Sequence, residues 1–192
     1  MSAPYPKPLR LPVGPSIPSK RYLSLGETLA FMAKPLIAEE KLDGTQAMLA
    51  YGHLLLHVED MLWRKTVPYR VPARYALFDV LDLKGGYWWS REDKEAFMEE
   101  VLRGDHPELW GKVFLVPLLH RGRFSLEEVP GLAEVESRYG DGVGVKVEGL
   151  VFKREGRVPM EAREVVRAKF VRAEFYSQFT EEKVRGRNPI QP

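Results

Sequence analysis

The sequence predicts a mixed α+β fold built largely from antiparallel sheets, with a few helices beside them. Segments with the composition of strands outnumber helical segments along the 192 residues. Few connections between them are long enough for the crossover that a pair of parallel strands requires. Hydrophobic residues make up 44% of the chain, which is enough for a sizeable core. A chain of this length suits a single domain.

The predicted strands are apolar or alternating runs bounded by turn residues. They cover residues 37–42, 45–51, 54–58, 75–81, 112–119, 143–153 and 165–172. Gly52 lies between the second and third of these runs and predicts a hairpin there. The run Y-A-L-F-D-V-L at 75–81 indicates a buried strand, because Phe and Val suit a pleated surface.

Capping signals predict three helices. They cover residues 24–33, residues 91–102 and a short stretch that begins at the S-L-E-E box of residues 125–128. The second is the clearest, because Ser90 precedes its acidic first turn and Gly104 follows its end. Its apolar stripe, which we assign to core packing, consists of Phe97, Met98, Val101 and Leu102.

The ends of the chain differ in composition from its middle. Residues 1–22 are rich in proline and are expected to run extended rather than helical. Residues 23–180 are expected to form one domain, and residues 181–192 a flexible basic tail.

Composition excludes several classes of function. The chain has no cysteine, so disulfides, thiolate catalysis and cysteine metal sites are ruled out. No apolar run approaches the roughly 20 residues that span a membrane, and the N-terminus has no signal-peptide core, so a cytoplasmic protein is expected. The net charge of +2 means that any nucleic-acid surface must be a local patch. The 15 prolines and the excess of arginine over lysine are typical of a thermophile.

Five motifs stand in a fixed order along the chain. They are K-L-D-G at 41–44, V-E-D-M-L-W at 58–63, A-L-F-D-V-L-D at 76–82, V-E-G-L-V-F-K-R at 147–154 and V-R-A-K-F-V-R-A-E-F at 166–175. The first motif alone is more typical of a turn with an exposed lysine than of a nucleophile. Together the five resemble the covalent nucleotidyltransferase superfamily of ATP-dependent ligases and capping enzymes, and most of all the RNA ligases. The resemblance covers roughly residues 37–176 and implies a nucleotidyltransferase domain of the ATP-grasp-like type.

The resemblance implies that Lys41 attacks the α-phosphate of ATP, leaving a lysyl-AMP phosphoramidate and pyrophosphate. A free lysine amine is neutral in only about one part in a thousand near pH 7.4. Burial and neighbouring cations are therefore expected to lower the pKa of Lys41.

The same resemblance implies a set of site residues. The catalytic residues are Lys41, Lys153 and Lys169, and the nucleotide contacts are Glu40, Asp43, Gly44, Glu59, Phe78, Glu148, Lys153, Arg167 and Lys169. Glu59 is expected on the ribose, Phe78 on the adenine, Lys153 on the α-phosphate and Glu148 on a divalent Mg²⁺ or Mn²⁺ ion. A core role for Phe78, and a solvated cationic strand face for Arg167 and Lys169, are the alternatives.

Strand geometry constrains these assignments. Residues five apart on a strand point to opposite faces, so Glu148 and Lys153 serve one site only if Gly149 marks a bulge or Lys153 lies past the strand end. Arg167 and Lys169 share a strand face by the same rule.

The chain departs from the family pattern in two places. The segment between Lys41 and Val58 is shorter than in the family, and the arginine of its usual second motif is missing or replaced by Arg64. Few residues follow Lys169, so no oligonucleotide-binding barrel and no helical C-terminal domain is expected.

These observations predict an ATP-dependent RNA ligase that seals 5′-phosphate and 3′-hydroxyl RNA ends. Alternatives are a minimal DNA ligase, an enzyme acting on RNA–DNA hybrids, and an adenylyltransferase that activates 5′ ends without sealing them. A non-catalytic nucleic-acid-binding relic is the alternative outside the enzymes. The ordered set of charged residues argues against it.

Overall fold

The computed structural model of the protein describes residues 5–14, 21–64, 67–177 and 186–190, and β-strands dominate it. The strands are β1 (Leu9–Arg10), β2 (Leu36–Glu40), β3 (Thr45–Tyr51), β4 (Leu54–Asp60), β5 (Trp63–Arg64), β6 (Tyr75–Asp82), β7 (Tyr87–Trp88), β8 (Val113–Leu115), β9 (Leu118–Gly122), β10 (Gly149–Arg154), β11 (Val158–Pro159), β12 (Arg167–Val171) and β13 (Gly186–Arg187). The helices are α1 (Leu25–Met32), α2 (Arg91–Leu102), α3 (Val129–Leu132) and α4 (Ala173–Ser177).

Two mainly antiparallel sheets form the body of the domain. The first sheet has the order β1-β12-β10-β2-β9, and its one parallel pair is β1 with β12. The second sheet has the order β11-β7-β6-β4-β3, and β8 joins β6 in parallel. Strands β5 and β13 form a separate ribbon. The predicted α+β class with largely antiparallel sheets is confirmed.

Two of the three predicted helices form from their capping signals. The side chains of Ser24 and Ser90 each accept a hydrogen bond from the backbone N–H of the third helical residue, and the carboxylate of that residue accepts one from the backbone N–H of the cap. The prediction of a helix that begins at Ser125 is wrong. Ser125 N donates to Glu128 Oε2 (2.7 Å) and closes a turn, and the next helix is α3, which has four residues. In α2 the predicted core role of Leu102 is also wrong. It is 62% exposed, since it projects about 100° around the helix from the buried Val101.

The single strand predicted over residues 112–119 is two strands that belong to different sheets. β8 pairs with β6 in the second sheet, whereas β9 pairs with β2 in the first. Pro117, which has no N–H to donate, lies between them, and its carbonyl oxygen accepts a hydrogen bond from Glu40 N (2.9 Å). This crossing joins the two sheets beside the first predicted motif.

Gly149 allows β10 and β12 to approach closely. A Cβ at this position would lie 2.1 Å from the carbonyl oxygen of Phe170. We expect Gly149→Ala to lower the free energy of unfolding by about 2 kcal/mol, because the backbone of β12 must move. Denaturant unfolding measures the change. Gly26→Ala is the control, since no atom lies within 4 Å of its Cβ and alanine suits α1. Equal losses in the two variants would contradict this account.

Both ends of the chain pack against the domain where the structure describes them. Leu11, in the segment predicted to precede the domain, is 1% exposed in the core. Asn188 is 3% exposed, and its side chain donates to the carbonyl oxygen of Met61 (2.7 Å) and accepts from Tyr69 N (3.3 Å). Residues 186–190 of the predicted tail thus contact the domain, while residues 181–185 and 191–192 lie outside the described residues. Within the described parts of the chain, no helix is long and apolar enough to span a membrane.

Candidate active site

A cavity of about 280 Å³ is bounded by strands of both sheets. Its lining residues are Tyr5, Lys7, Pro8, Glu39, Glu40, Lys41, Leu42, Gln46, Glu59, Phe78, Val116, Val151, Lys153 and Lys169. Six of the residues predicted from sequence are among them: Glu40, Lys41, Glu59, Phe78, Lys153 and Lys169. The other four, Asp43, Gly44, Glu148 and Arg167, lie around the cavity without lining it. The tertiary fold therefore gathers motifs that are far apart in sequence.

Lys41 follows the end of β2 and lies against the motif that opens β10. Its backbone N–H donates to the carbonyl oxygen of Gly149 (3.0 Å), which extends the pairing of the two strands. Its ammonium lies 2.5 Å from Glu148 Oε1. Glu148 is held in turn by its carbonyl oxygen, which accepts from Arg172 N (3.0 Å). The first and fourth motifs thus meet at one ion pair.

The electrostatics of Lys41 differ from the prediction. Burial acts to lower the pKa of Lys41, as expected, but the carboxylates of Glu148, Glu59 and Asp43 outweigh it and the pKa lies above its ordinary value. The prediction of a lowered pKa is wrong for this arrangement, because carboxylates rather than cations are the nearest charges. Lys41 is protonated here and must lose a proton before it can act as a nucleophile.

Glu148 has the features of a metal ligand. Burial raises its pKa, and its Oε2 atom is enclosed without a hydrogen-bond partner among the described residues. An enclosed carboxylate oxygen with no donor suits a divalent cation. No cluster of three or more metal-ligating side chains occurs in the described residues. An ion held by Glu148 and by substrate phosphates, as is usual for Mg²⁺, fits this donor set.

The position of Glu148 resolves the conflict between strand faces. Glu148 precedes β10 instead of lying within it, while Lys153 is inside the strand. Both predicted solutions, a bulge at Gly149 and a Lys153 beyond the strand end, are therefore wrong. Because Glu148 is not part of the strand, the alternation of side-chain faces along β10 does not fix its direction.

Lys153 is held by three acceptors. Its Nζ atom donates to Glu39 Oε2 (2.6 Å), to the carbonyl oxygen of Phe78 (2.6 Å) and to Asp79 Oδ1 (2.9 Å). An ammonium has three N–H donors, so this arrangement uses all of them. The structure favours a positioning role for Lys153 over the predicted contact with the α-phosphate.

Glu39 was missed by the sequence reasoning. It is 1% exposed and accepts hydrogen bonds from Lys153, from Lys94 Nζ (2.9 Å) and from Arg91 Nη1 (3.1 Å). Lys94 Nζ also donates to the carbonyl oxygen of Phe78 (2.8 Å). The sequence contained a signal for Glu39, because L-I-A-E-E places a charged residue within an apolar strand. A charge buried in such a strand requires partners of opposite charge.

Phe78, the aromatic predicted to stack on the base, borders the cavity. It is only partly buried and lines the cavity from β6. Its backbone is fixed by the two lysines that donate to its carbonyl oxygen. Its ring lines the cavity and also packs against buried core residues and Tyr5, so the stacking role stays a prediction.

Arg167 and Lys169 have different surroundings although they share a face of β12. Lys169 lines the cavity. Arg167 is 7% exposed, its Nη1 lies 3.7 Å from Asp79 Oδ2, and its guanidinium stacks on the rings of Trp88 (4.3 Å) and Tyr5 (4.8 Å). Of the two predicted phosphate contacts, Lys169 alone borders the cavity.

Asp43 and Gly44 shape the turn after Lys41. Asp43 N donates to the hydroxyl oxygen of the buried Tyr69 (3.2 Å). A Cβ at Gly44 would lie 2.9 Å from the Cβ of Glu59 and 2.9 Å from Met61 Sδ. The glycine is therefore required by the approach of the turn to β4, whatever the cavity binds.

Glu40 and Glu59 border the cavity from opposite sheets. The side chain of Glu40 accepts hydrogen bonds from Ser137 Oγ and from Arg138 N, so it anchors the loop at residues 137–138. Glu59 is half-buried on β4. Arg64, the predicted replacement for the missing motif arginine, pairs with Gly186 through its backbone, and its side chain lies outside the described residues.

Comparisons with known proteins found one family model and several solved structures similar to this chain. The family model described as RNA ligase matches residues 51–171. A Naegleria gruberi RNA ligase mutant solved with ATP and Mn has a TM-score of 0.54 and 15% identity, over 80% of this chain and 54% of that chain. A second mutant, with AMP and Mn, has a TM-score of 0.54 and 14% identity over 80% and 54%. The same organism's RNA ligase with PPi has a TM-score of 0.53 and 15% identity over 78% and 52%.

At these identities the structural matches demonstrate a shared fold. This chain spans about half the length of the solved ligases. No curated protein matches its sequence.

Proposed function

The chain belongs to the RNA ligase family, and on that premise we propose that it is an ATP-dependent RNA ligase core with Lys41 as its nucleophile. The observation that carries the proposal is the ion pair of Lys41 with Glu148 at a cavity lined by Phe78 and Lys169. Lys41 precedes the residues that the family model matches, so its role rests on this geometry.

The first step is transfer of AMP to the protein. The deprotonated Nζ of Lys41 attacks the α-phosphorus of ATP, a P–N bond forms, and the bond to the β-phosphate breaks to release pyrophosphate. Lys169 offers a cation to the phosphates, and Phe78 offers a ring face to the adenine. Positioning and electrostatics carry such a reaction, since phosphoryl transfer needs little covalent help from the protein.

Glu148 is the residue that would hold a divalent cation. A bound Mg²⁺ or Mn²⁺ supplies Lewis-acid stabilisation of the charge that develops on the phosphate oxygens. With a cation at its carboxylate, Glu148 would interact less strongly with Lys41, and the interaction that raises the pKa of Lys41 would be weaker.

The later steps use RNA as the proposed polynucleotide. A 5′-phosphate oxygen attacks the lysyl-AMP phosphorus and breaks the P–N bond, so that AMP joins the RNA end. A 3′-hydroxyl then attacks that 5′-phosphate, forms the phosphodiester and releases AMP. RNA is preferred over DNA or a hybrid because the matching family model is that of RNA ligases.

The experiment that tests the proposal is an intact-mass measurement after incubation with ATP and Mg²⁺. We expect the protein to gain the mass of one AMP and to lose it again when pyrophosphate is added. GTP and NAD in place of ATP test the donor. Absence of any adduct would contradict the proposal. Adduct formation and 5′-end adenylylation without sealing of nicked RNA would leave the stand-alone adenylyltransferase.

We expect Glu148→Gln to slow AMP adduct formation by roughly 100-fold at saturating metal, because it removes the proposed metal ligand. Glu148 is also the main group that raises the pKa of Lys41. At low metal concentration, where Glu148 still interacts with Lys41, the midpoint of the pH–rate profile should therefore move to lower pH in the variant. Rates of adduct formation between pH 6 and 10, at several Mn²⁺ concentrations, measure both effects. A wild-type rate would remove Glu148 from the mechanism.

A further inference from the structure

The N-terminal segment, defined as residues 5–11, runs along the cavity and is tied to the strand that carries Lys169. Strand β1 pairs in parallel with β12, and Arg10 lies opposite Lys169. Leu11 N donates to the carbonyl oxygen of Lys169 (2.9 Å), and the side chain of Leu11 is 1% exposed. One end of the segment is therefore held by the core.

Tyr5 holds the other end of the N-terminal segment. Its hydroxyl donates to Asp79 Oδ2 (2.6 Å). Its ring meets Phe78 edge-on (5.2 Å between centroids) and Trp88 edge-on (5.7 Å), and the guanidinium of Arg167 lies 4.8 Å from its centre. Tyr5 thus fixes the segment beside the ring that is proposed to stack on the base.

Lys7 lies between these two anchors with a restricted backbone. It is exposed and lines the cavity that Lys41 and Lys169 also line. Pro6 precedes it and Pro8 follows it. A residue before proline is confined to extended conformations, so the backbone at Lys7 loses little further entropy when the residue binds a ligand.

We propose that the N-terminal segment is a wall of the nucleotide cavity, in which Lys7 contacts the phosphates of the nucleoside triphosphate and Tyr5 positions Lys7. This inference rests on the proposed function, since it takes the cavity to hold ATP. An ammonium is a compact point charge with three donors, which suits phosphate oxygens that already face Lys41 and Lys169. The sequence motifs give no sign of this wall, because it precedes all of them.

The test compares ligands with and without phosphates. Calorimetric titrations of wild type and Lys7→Ala use α,β-methylene-ATP, which cannot transfer AMP to Lys41, and adenosine. We expect Lys7→Ala to bind the triphosphate analogue roughly tenfold more weakly and adenosine as wild type does. Lys7→Arg should retain most of the affinity, and Lys34→Ala, which changes an exposed lysine outside the cavity, should behave as wild type.

Tyr5→Phe tests the positioning role, because it removes the hydrogen bond to Asp79 and keeps the ring. We expect a loss of several-fold for the triphosphate analogue and none for adenosine. If Tyr5 acts through Lys7, the double variant binds the analogue no more weakly than Lys7→Ala alone. Additive losses in the double variant would overturn that part of the proposal.

Unchanged analogue binding by Lys7→Ala, or equal losses for analogue and adenosine, would overturn the phosphate contact. So would a loss confined to 5′-phosphorylated RNA, which would place Lys7 on the polynucleotide instead. Thermal midpoints of all variants check that folding is intact. A wild type that binds the analogue but forms no AMP adduct contradicts only the proposed function. Normal AMP adduct formation by the wild type, together with unchanged analogue binding by Lys7→Ala, contradicts only this inference.

Discussion

Lys41→Ala is expected to form no AMP adduct under conditions in which the wild type is fully adenylylated. The variant lacks the only atom proposed to bond to the α-phosphorus, so it should not form the adduct even slowly. Lys41→Arg should be equally inactive, because a guanidinium is not deprotonated in proteins. The loss should be complete rather than graded, and intact mass after incubation with ATP and Mg²⁺ measures it.

Two controls separate loss of the nucleophile from loss of the fold. Lys34→Ala removes an exposed lysine away from the cavity and should be adenylylated like the wild type. Lys41→Ala should still bind α,β-methylene-ATP, since the cavity and its other lysines remain. An adduct of normal yield on Lys41→Ala would show that another group is the nucleophile.

Lys94→Met is expected to lower the free energy of unfolding by about 3 kcal/mol, because it leaves buried acceptors short of a donor. Lys94 is 1% exposed and donates to Glu39 and to the carbonyl oxygen of Phe78. Methionine keeps much of the volume but supplies no hydrogen bond. For a chain of this size the loss corresponds to a fall in Tm of about 6–12 °C. Calorimetry or denaturant unfolding measures it.

The pH dependence of stability provides a second measurement on the same cluster. Burial alone would raise the pKa values of Glu39 and Asp79, but Lys153 and the neighbouring cations hold both below their ordinary values. At these two carboxylates the unfolded chain therefore binds more protons than the folded protein near pH 4, and the stability that they contribute is lost as the pH falls below about 5. Lys94→Met removes one of these cations, so the pKa values of Glu39 and Asp79 are lowered less. A smaller share of the stability of this variant should therefore depend on pH.

Lys34→Met is the matched control for this substitution, since it makes the same change at an exposed site. It should alter the unfolding free energy by less than about 0.5 kcal/mol. If Lys94→Met were as stable as wild type, the buried ion pairs would be no better than apolar packing at this site.

Local signals were sufficient to predict most of the elements. The bounds of α2 agree with the cap at Ser90 and the glycine at Gly104, because capping depends on residues within one turn. The hairpin of β3 and β4 follows from alternation and a glycine turn, which also act over a few residues. The segment at 112–119 was misread because strand propensity does not specify which sheet a strand joins.

The ordered motifs predicted that Lys41, Phe78 and Lys169 belong to one site, and the three residues line one cavity. Motif order, however, carries no distances. The pKa of Lys41 was predicted in the wrong direction because it depends on Glu148, whose contact exists only in the folded chain.

The partners that hold the site in place are separated by long stretches of chain. Glu39 binds Lys94 and Lys153, which are 55 and 114 positions away, and Tyr5 binds Asp79 across 74 positions. Such contacts leave no periodic pattern, because periodicity records which face of an element is buried and not what it is buried against. The family of this protein was predictable from its residues alone. The assignment of Lys153 to the cluster and of the N-terminal segment to the cavity required the packed sheets.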